Sequence, residues 1–213
     1  MLKVKKFVFS LFGVNTYLAI DESTKKTAII DPAMQKPVEE GEISRYVSDN
    51  NLEITNIINT HLHLDHCFGA NWVKRTYGVK LMAAPADAIL GKIIPQQYQM
   101  FGIKPVNEIV EIDVNLIDGE TISIGDSVLK VFATPGHTQG GIVLYDEKDK
   151  LLFSGDTIFY GSVGRTDLPG GNHTQLINSI RTKIFTLPDD VKILPGHGEA
   201  SSVGYERTHN PYV

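Results

Sequence analysis

A single cysteine, Cys67, stands in 213 residues, so no disulfide can form within the chain. A packed core must then hold the fold, and one thiol is compatible with a reducing compartment, so a cytoplasmic location is the expectation. No apolar run approaches the roughly 18–20 residues of a membrane span. The opening Met1-Leu2-Lys3-Val4-Lys5-Lys6-Phe7 also lacks the apolar stretch of a secretory leader. Basic excess is missing too: 20 Lys and Arg against 25 Asp and Glu leave a net charge of −5. That gives no basic stripe for nucleic acid, so neither nucleic acid nor membrane is expected as a partner. Low-complexity tracts and sharp linkers are absent, and residues 1–213 read as one domain able to bury a sizeable core.

What the chain does have is histidine in one place. Thr60-His61-Leu62-His63-Leu64-Asp65-His66 gathers three of the seven histidines and one carboxylate. It follows an apolar, β-branched run at 54–58 that reads as a buried strand, and it precedes helical spacing from Phe68 to Tyr77. The cluster therefore lies at the carboxyl end of a strand, where open α/β sheets bind ligands. Residues i and i+2 of an extended segment point to one side, so His61 and His63 can converge on one ion. Asp65 and His66, at the turn into a helix, reach a second point nearby.

Strands are expected near 4–10, 16–20, 27–31, 54–59, 121–124, 128–133, 142–145, 151–154 and 191–194. Helices are expected at 37–50, with Pro37 in the first turn, and near 67–77, 84–94 and 173–185. The stretch 95–102 reads as a surface loop or lid. Strands at both ends of the chain with helices between them predict an α/β fold of two sheets, each covered on its outer side. Three further strand ends carry a metal-capable residue after a small one. They are Thr134-Pro135-Gly136-His137-Thr138, Ser154-Gly155-Asp156-Thr157 and Pro195-Gly196-His197-Gly198. Four strand ends aimed at one edge would build a site on a rigid frame.

These motifs, with Gly164-Arg165-Thr166-Asp167-Leu168-Pro169-Gly170-Gly171 and the ending Gly204-Tyr205-Glu206-Arg207-Thr208-His209-Asn210-Pro211-Tyr212, resemble a metallo-β-lactamase-fold hydrolase of the glyoxalase II branch, among its short bacterial relatives. The resemblance spans the chain from about residue 16 onward and implies an αββα sandwich of two mixed sheets flanked by helices. It implies that His61, His63 and His137 bind one metal, that Asp65, His66 and His197 bind a second, and that Asp156 bridges them. Two divalent cations are expected, zinc first, with iron or manganese also suited to imidazole and carboxylate donors. The implied chemistry is hydrolysis of a small-molecule ester or thioester such as S-lactoylglutathione by a metal-bridging hydroxide, with Asp65 also orienting the water. Arg165 matches a position that holds a glutathione carboxylate in the family, and a homodimer is an admissible assembly.

The chain departs from the family in places. Ala33 stands for a common glycine, Gln139 for a common proline and Asp167 for a glutathione-contacting tyrosine; the helical C-terminal domain of full-length glyoxalase II is not expected. A persulfide dioxygenase with a single iron is the first rival, and the retention of Asp65, His66 and His197 argues against it. A β-lactamase of the commonest zinc class would carry cysteine at Asp156, and a lactonase tyrosine at Phe159. A non-catalytic metal-binding module is the third. His173 and His209 read as surface residues, the former in a helix-capping position, and Cys67 as a small buried side chain. Asp31 reads as a turn residue or a support behind the ligands, Arg165 and Asp167 as an ion pair, and Tyr98 and Met100 as loop packing.

Overall fold

The computed structural model describes residues 1–104 and 108–213. Its first half builds one six-stranded sheet from β1 (Leu2–Phe9), β2 (Val14–Asp21), β3 (Lys26–Ile30), β4 (Glu53–Ile58), β5 (Leu81–Ala83) and β6 (Val114–Asn115), in that order. The first three strands run antiparallel as a meander, and β3 to β6 pair in parallel. Parallel pairing needs crossovers, supplied by α1 (Pro37–Asp49), α2 (Leu64–Cys67), α3 (Ala70–Tyr77), α4 (Ala88–Lys92) and α5 (Ile94–Met100).

The second half repeats the plan with β7 (Thr121–Ile124), β8 (Ser127–Ala133), β9 (Ile142–Asp146), β10 (Leu151–Gly155), a small hairpin of β11 (Ile158–Phe159) and β12 (Ser162–Val163), then α6 (His173–Ser179), β13 (Lys192–Pro195), β14 (Ser201–Ser202) and α7 (Val203–His209). The sheet order is β14-β13-β10-β9-β8-β7, with only β10 and β13 parallel.

Alternation along the strands decides the layers. On β2, Tyr17 and Ala19 enter a cluster with Ile122, Leu144 and Phe153 of the other sheet, while Leu18 and Ile20 face Ile43 and Val73 of the outer helices. On β9, Ile142 and Leu144 point into the same inter-sheet cluster, while Val143 and Tyr145 meet Leu176 and Val203 outside. A strand apolar on both faces is what a four-layer stack requires. The expected αββα sandwich of two mixed sheets is borne out. Phe153, 1% exposed and edge-on to Tyr17 at 5.4 Å, is a large side chain at its centre.

Several element boundaries differ from expectation. The segment 95–102 is not a loop: α5 runs from Ile94 to Met100. Pro95 stands in its first turn, where its missing N–H costs nothing, and Ile94 and Tyr98 turn one face into the helix-side core. Tyr98 therefore packs as expected, on a helix. The expected helix at 84–94 is a 3₁₀ turn at Pro85–Asp87 followed by α4, and Gly91 comes so close to Val110 that an added Cβ would lie 2.1 Å from its carbonyl oxygen. The helix near 67–77 is broken into α2 and α3 at Phe68 and Gly69, where the Gly69 N–H bonds the Pro32 carbonyl. The helix at 173–185 widens after Ser179 into a π turn, Ile180–Ile184.

Candidate metal centre

Strand β4 ends at Ile58, and the chain bends at Thr60 before α2 begins at Leu64. His61 and His63 turn to one side, while Leu62 between them is fully buried in the helix-side core. His63 is in extended backbone and α2 starts at the next residue, which brings Asp65 and His66 round to the same edge. Beyond β8, the turn through Gly136 delivers His137. Gly136 has φ of 139°, and a Cβ there would lie 2.3 Å from the Leu176 backbone nitrogen, so only glycine fits. Asp156 follows β10, and His197 follows β13.

The structure brings all seven expected residues together. The His63 Nδ1 lies 2.9 Å from His137 Nε2, which lies 3.3 Å from His61 Nε2. On the other side, His66 Nε2 lies 3.3 Å from His197 Nε2, and Asp65 Oδ2 lies 3.8 and 3.5 Å from those two nitrogens. Asp156 stands between the groups, with Oδ1 3.3 Å from His66 and Oδ2 3.5 Å from His197 and 3.7 Å from His137.

The outer ring nitrogens explain why the inner ones face one another. His137 Nδ1–H donates to the Arg165 carbonyl at 2.7 Å, His197 Nδ1–H to the Phe12 carbonyl at 3.1 Å, and His66 Nδ1–H to Asp31 Oδ2 at 3.0 Å. Carbonyl and carboxylate oxygens only accept, so each bond makes the neutral ring the tautomer whose Nε2 lone pair points inward. Asp31 has a left-handed φ of 50° and also accepts from the Thr60 N–H and hydroxyl, both at 2.7 Å. It is the expected support behind the ligands.

Burial and the local charges shape ionisation. Burial, reinforced by the neighbouring histidines, holds His61 well below the ordinary histidine value. Burial and then His137 bring His63 down to about 4, against the pull of Asp65. For His66 burial acts downward too, but Asp156, Asp65 and Asp31 outweigh it and raise the ring well above its ordinary value. His197 is raised as well: burial opposes, and the Asp65 hydrogen bond and Asp156 prevail. Burial opposes ionisation of Asp65 and Asp156, and the facing histidines hold both below the carboxylate range.

The residues fit a divalent cation. Asp156 Oδ1 is buried with no hydrogen-bond partner, an orphan that a cation would satisfy. A Cβ on Gly196 would lie 2.3 Å from that oxygen and 2.7 Å from His66, so the Gly196 position keeps the cradle open. Mutually facing imidazole lone pairs beside ionised carboxylates form a borderline-to-hard donor set, and three groups of convergent donors share the cluster.

A cavity of about 210 Å³ opens over this cluster, walled by Phe12, Phe101, Leu168, Arg165 and five of its residues, His63, Asp65, His137, Asp156 and His197. Arg165 thus stands at the cavity, where its guanidinium makes two 2.7 Å bonds to Asp167 in an exposed ion pair. Cys67 is buried beside the site, and its thiol is pushed up by burial. His209 stacks on Tyr205 at the surface. His173 is exposed but does not cap α6; the Asn172 side chain does, accepting from the Gln175 N–H at 3.0 Å.

Three supports escaped the sequence reading. Buried Asp87 accepts from the Leu62 N–H at 3.0 Å, the Thr138 hydroxyl at 2.9 Å and the Gly140 N–H at 2.7 Å, tying the His61–His63 segment to the His137 turn. Gln97 of α5 accepts from the Leu64 N–H at 2.9 Å and donates to Leu90. Asn15 donates to the carbonyls of Pro195 and Gly198, clasping the His197 turn. None belongs to a motif, since each acts through main chain that only the fold brings near.

A family model described as "Metallo-beta-lactamase superfamily" matches residues 10–197. "Hydroxyacylglutathione hydrolase GloC" of Haemophilus influenzae is 34% identical over 208 residues, covering 95% of this chain and 93% of that protein. Among solved structures, "BLEG-1 B3 metallo-beta-lactamase" superposes with TM-score 0.89 at 29% identity over 99% of both chains. "TTHA1623 in a di-iron-bound form" superposes with TM-score 0.86 at 26% identity over 98% of this chain and 100% of that one.

Proposed function

The chain belongs to the metallo-beta-lactamase superfamily, and from that premise we propose that it is a thioester hydrolase working with two divalent cations, zinc first, iron or manganese as alternatives. The observation that carries the reading is the completeness of both ligand groups around Asp156, whose Oδ1 is otherwise orphaned. When bound, such cations polarise an acyl carbonyl and lower the pKa of a shared water toward about 7.

The chain's own residues supply the rest. His61, His63 and His137 would hold one cation, and Asp65, His66 and His197 the other, with Asp156 common to both. Asp65 lies on the cavity wall, so its carboxylate would accept a hydrogen bond from the attacking water and orient it. Phe12, Phe101 and Leu168 restrict bulk water around the carbonyl. Arg165 at the mouth would meet a carboxylate on the leaving thiol. The likeness to a protein named hydroxyacylglutathione hydrolase makes S-lactoylglutathione the first substrate to assay.

The test pairs metal analysis of the purified protein with two assays run side by side: S-lactoylglutathione hydrolysis and oxygen uptake on glutathione persulfide. Hydrolysis without oxygen uptake, with two metals per chain, is expected. Oxygen uptake without hydrolysis would assign the dioxygenase reading instead. His63→Ala and Asp156→Ala should each lose metal and turnover together, and an Asp156→Ala protein with both metals and full activity would refute the dinuclear arrangement.

A further inference from the structure

Beside the metal cluster, a second pocket opens at His63. It is lined by Leu90 and Ile93 of the α4–α5 segment, Gln97, Met100 and Phe101 of α5 and its end, and Leu168 and Pro169 from the loop after β12. It is narrow, about 40 Å³ beside the 210 Å³ of the neighbouring cavity. His63, Phe101 and Leu168 also wall the cavity over the metal residues, so the two spaces adjoin across these three side chains.

The rim is apolar as well. Phe12 of the β1–β2 turn meets Phe101 edge-on at 5.3 Å, closing the cleft from the opposite side. Met100 is 61% exposed, and Leu11, next to Phe12, is 77% exposed. Apolar side chains left in water around a reactive centre mark a surface that a ligand covers. Among the described residues, Arg165 is the one lysine or arginine lining either space, and Asp167 already occupies its fork. The carrier thiol thus has one charged contact there, and apolar contacts are left to distinguish the acyl group.

Building on the thioester reading, we propose that this pocket selects the substrate's acyl group, taking an unbranched apolar chain that lies along Ile93, Met100 and Leu168 with its carbonyl beside His63. The thiol carrier then leaves on the exposed Arg165 side, where the side chains are already in water. Burying each additional methylene would raise kcat/KM about fourfold until the pocket is full.

Two measurements separate this proposal from the reaction class. In the first, acetyl, butyryl, hexanoyl and octanoyl thioesters of N-acetylcysteamine are hydrolysed by the metal-loaded protein, with S-lactoylglutathione for comparison. The proposal expects a steep rise to hexanoyl, above the lactoyl substrate. In the second, calorimetry follows binding of acetate, butyrate and hexanoate, which reads the pocket without turnover. Ile93→Asp should flatten both series by placing a carboxylate in the pocket. Met100→Asp, at an exposed rim position, should do the same without risk to folding. A flat series in both measurements overturns the pocket assignment while thioester hydrolysis stands. A graded carboxylate series with no thioester turnover keeps the pocket and removes the thioester reading. If neither grading nor turnover appears, both fall.

Discussion

Replacing Asp87 by alanine would remove one carboxylate and leave three buried donors without an acceptor: the Leu62 and Gly140 N–H groups and the Thr138 hydroxyl. Asp87 is 1% exposed, and burial raises its pKa against the three donors that favour the charged form. Each stranded donor costs about 1–3 kcal/mol, and a water entering the vacated space would recover part of that. A net loss of about 4 kcal/mol is therefore expected, which for a chain of this size lowers Tm by roughly 12 °C. The loss is directional as well as global. Asp87 holds the His61–His63 segment against the His137 turn, so affinity at that group should fall about 10–100-fold, as for other supports of ligand loops. The Asp65, His66 and His197 group is anchored by Asp31, Phe12 and Asn15 instead and should keep its metal better. Asp87→Asn should restore only part, because its amide N–H₂ would face a donor. Thermal melts, together with chelator titration resolving the two metals, give the answer. An Asp87→Ala protein with unchanged Tm and unchanged affinity at both groups would refute the reasoning, and equal weakening of both would reduce Asp87 to a general structural role.

Gly196→Ala should displace the Asp156 carboxylate, since the new methyl would lie 2.3 Å from Oδ1; metal content measured by mass spectrometry should fall while the far-UV spectrum persists. Acidification should empty the two groups in sequence. His66 and His197 have raised pKa values in the metal-free protein, so protons compete there first as pH falls through those values, while His63 stays neutral down to about 4 and burial holds His61 well below the ordinary histidine value. Dialysis across a pH series should remove the Asp65–His66–His197 metal first, and simultaneous loss would contradict the assignment. In the metal-free protein the sign reverses: the raised His66 contributes stability that is full below the unfolded value, about 6.5, and is lost as pH rises through its folded value. Arg165→Ala should raise KM more than it lowers kcat if the guanidinium meets only the leaving group, and a pure kcat loss would point to contact with the reacting centre.

The candidate donors were legible because most sit where a strong signal ends. An apolar run, a small residue and then histidine or aspartate mark a strand terminus at His61, His137, Asp156 and His197. The segment 84–102 was not legible. Pro85, Gly91 and Pro95 punctuate it every few residues, and the face that makes α5 a helix is defined by Leu64 and Val110, distant in sequence. Strands of two or three residues such as β5, β6 and β14 have no period to read; they exist because a longer neighbour offers free backbone groups.

The sequence by itself determined the donor set, the two-sheet α/β plan and the exclusion of a disulfide within the chain, because these depend on residue identity and on periodicities of two and 3.6. Tertiary structure alone decided which main-chain groups Asp87, Gln97 and Asn15 would hold, and that Asp156 would be left with an unpartnered oxygen between two histidine groups. It also decided that an apolar pocket assembled from α4, α5, β1–β2 and the Leu168 loop would adjoin His63. Those features arise where segments up to 183 residues apart come within hydrogen-bond or van der Waals reach, and no local pattern encodes such a meeting.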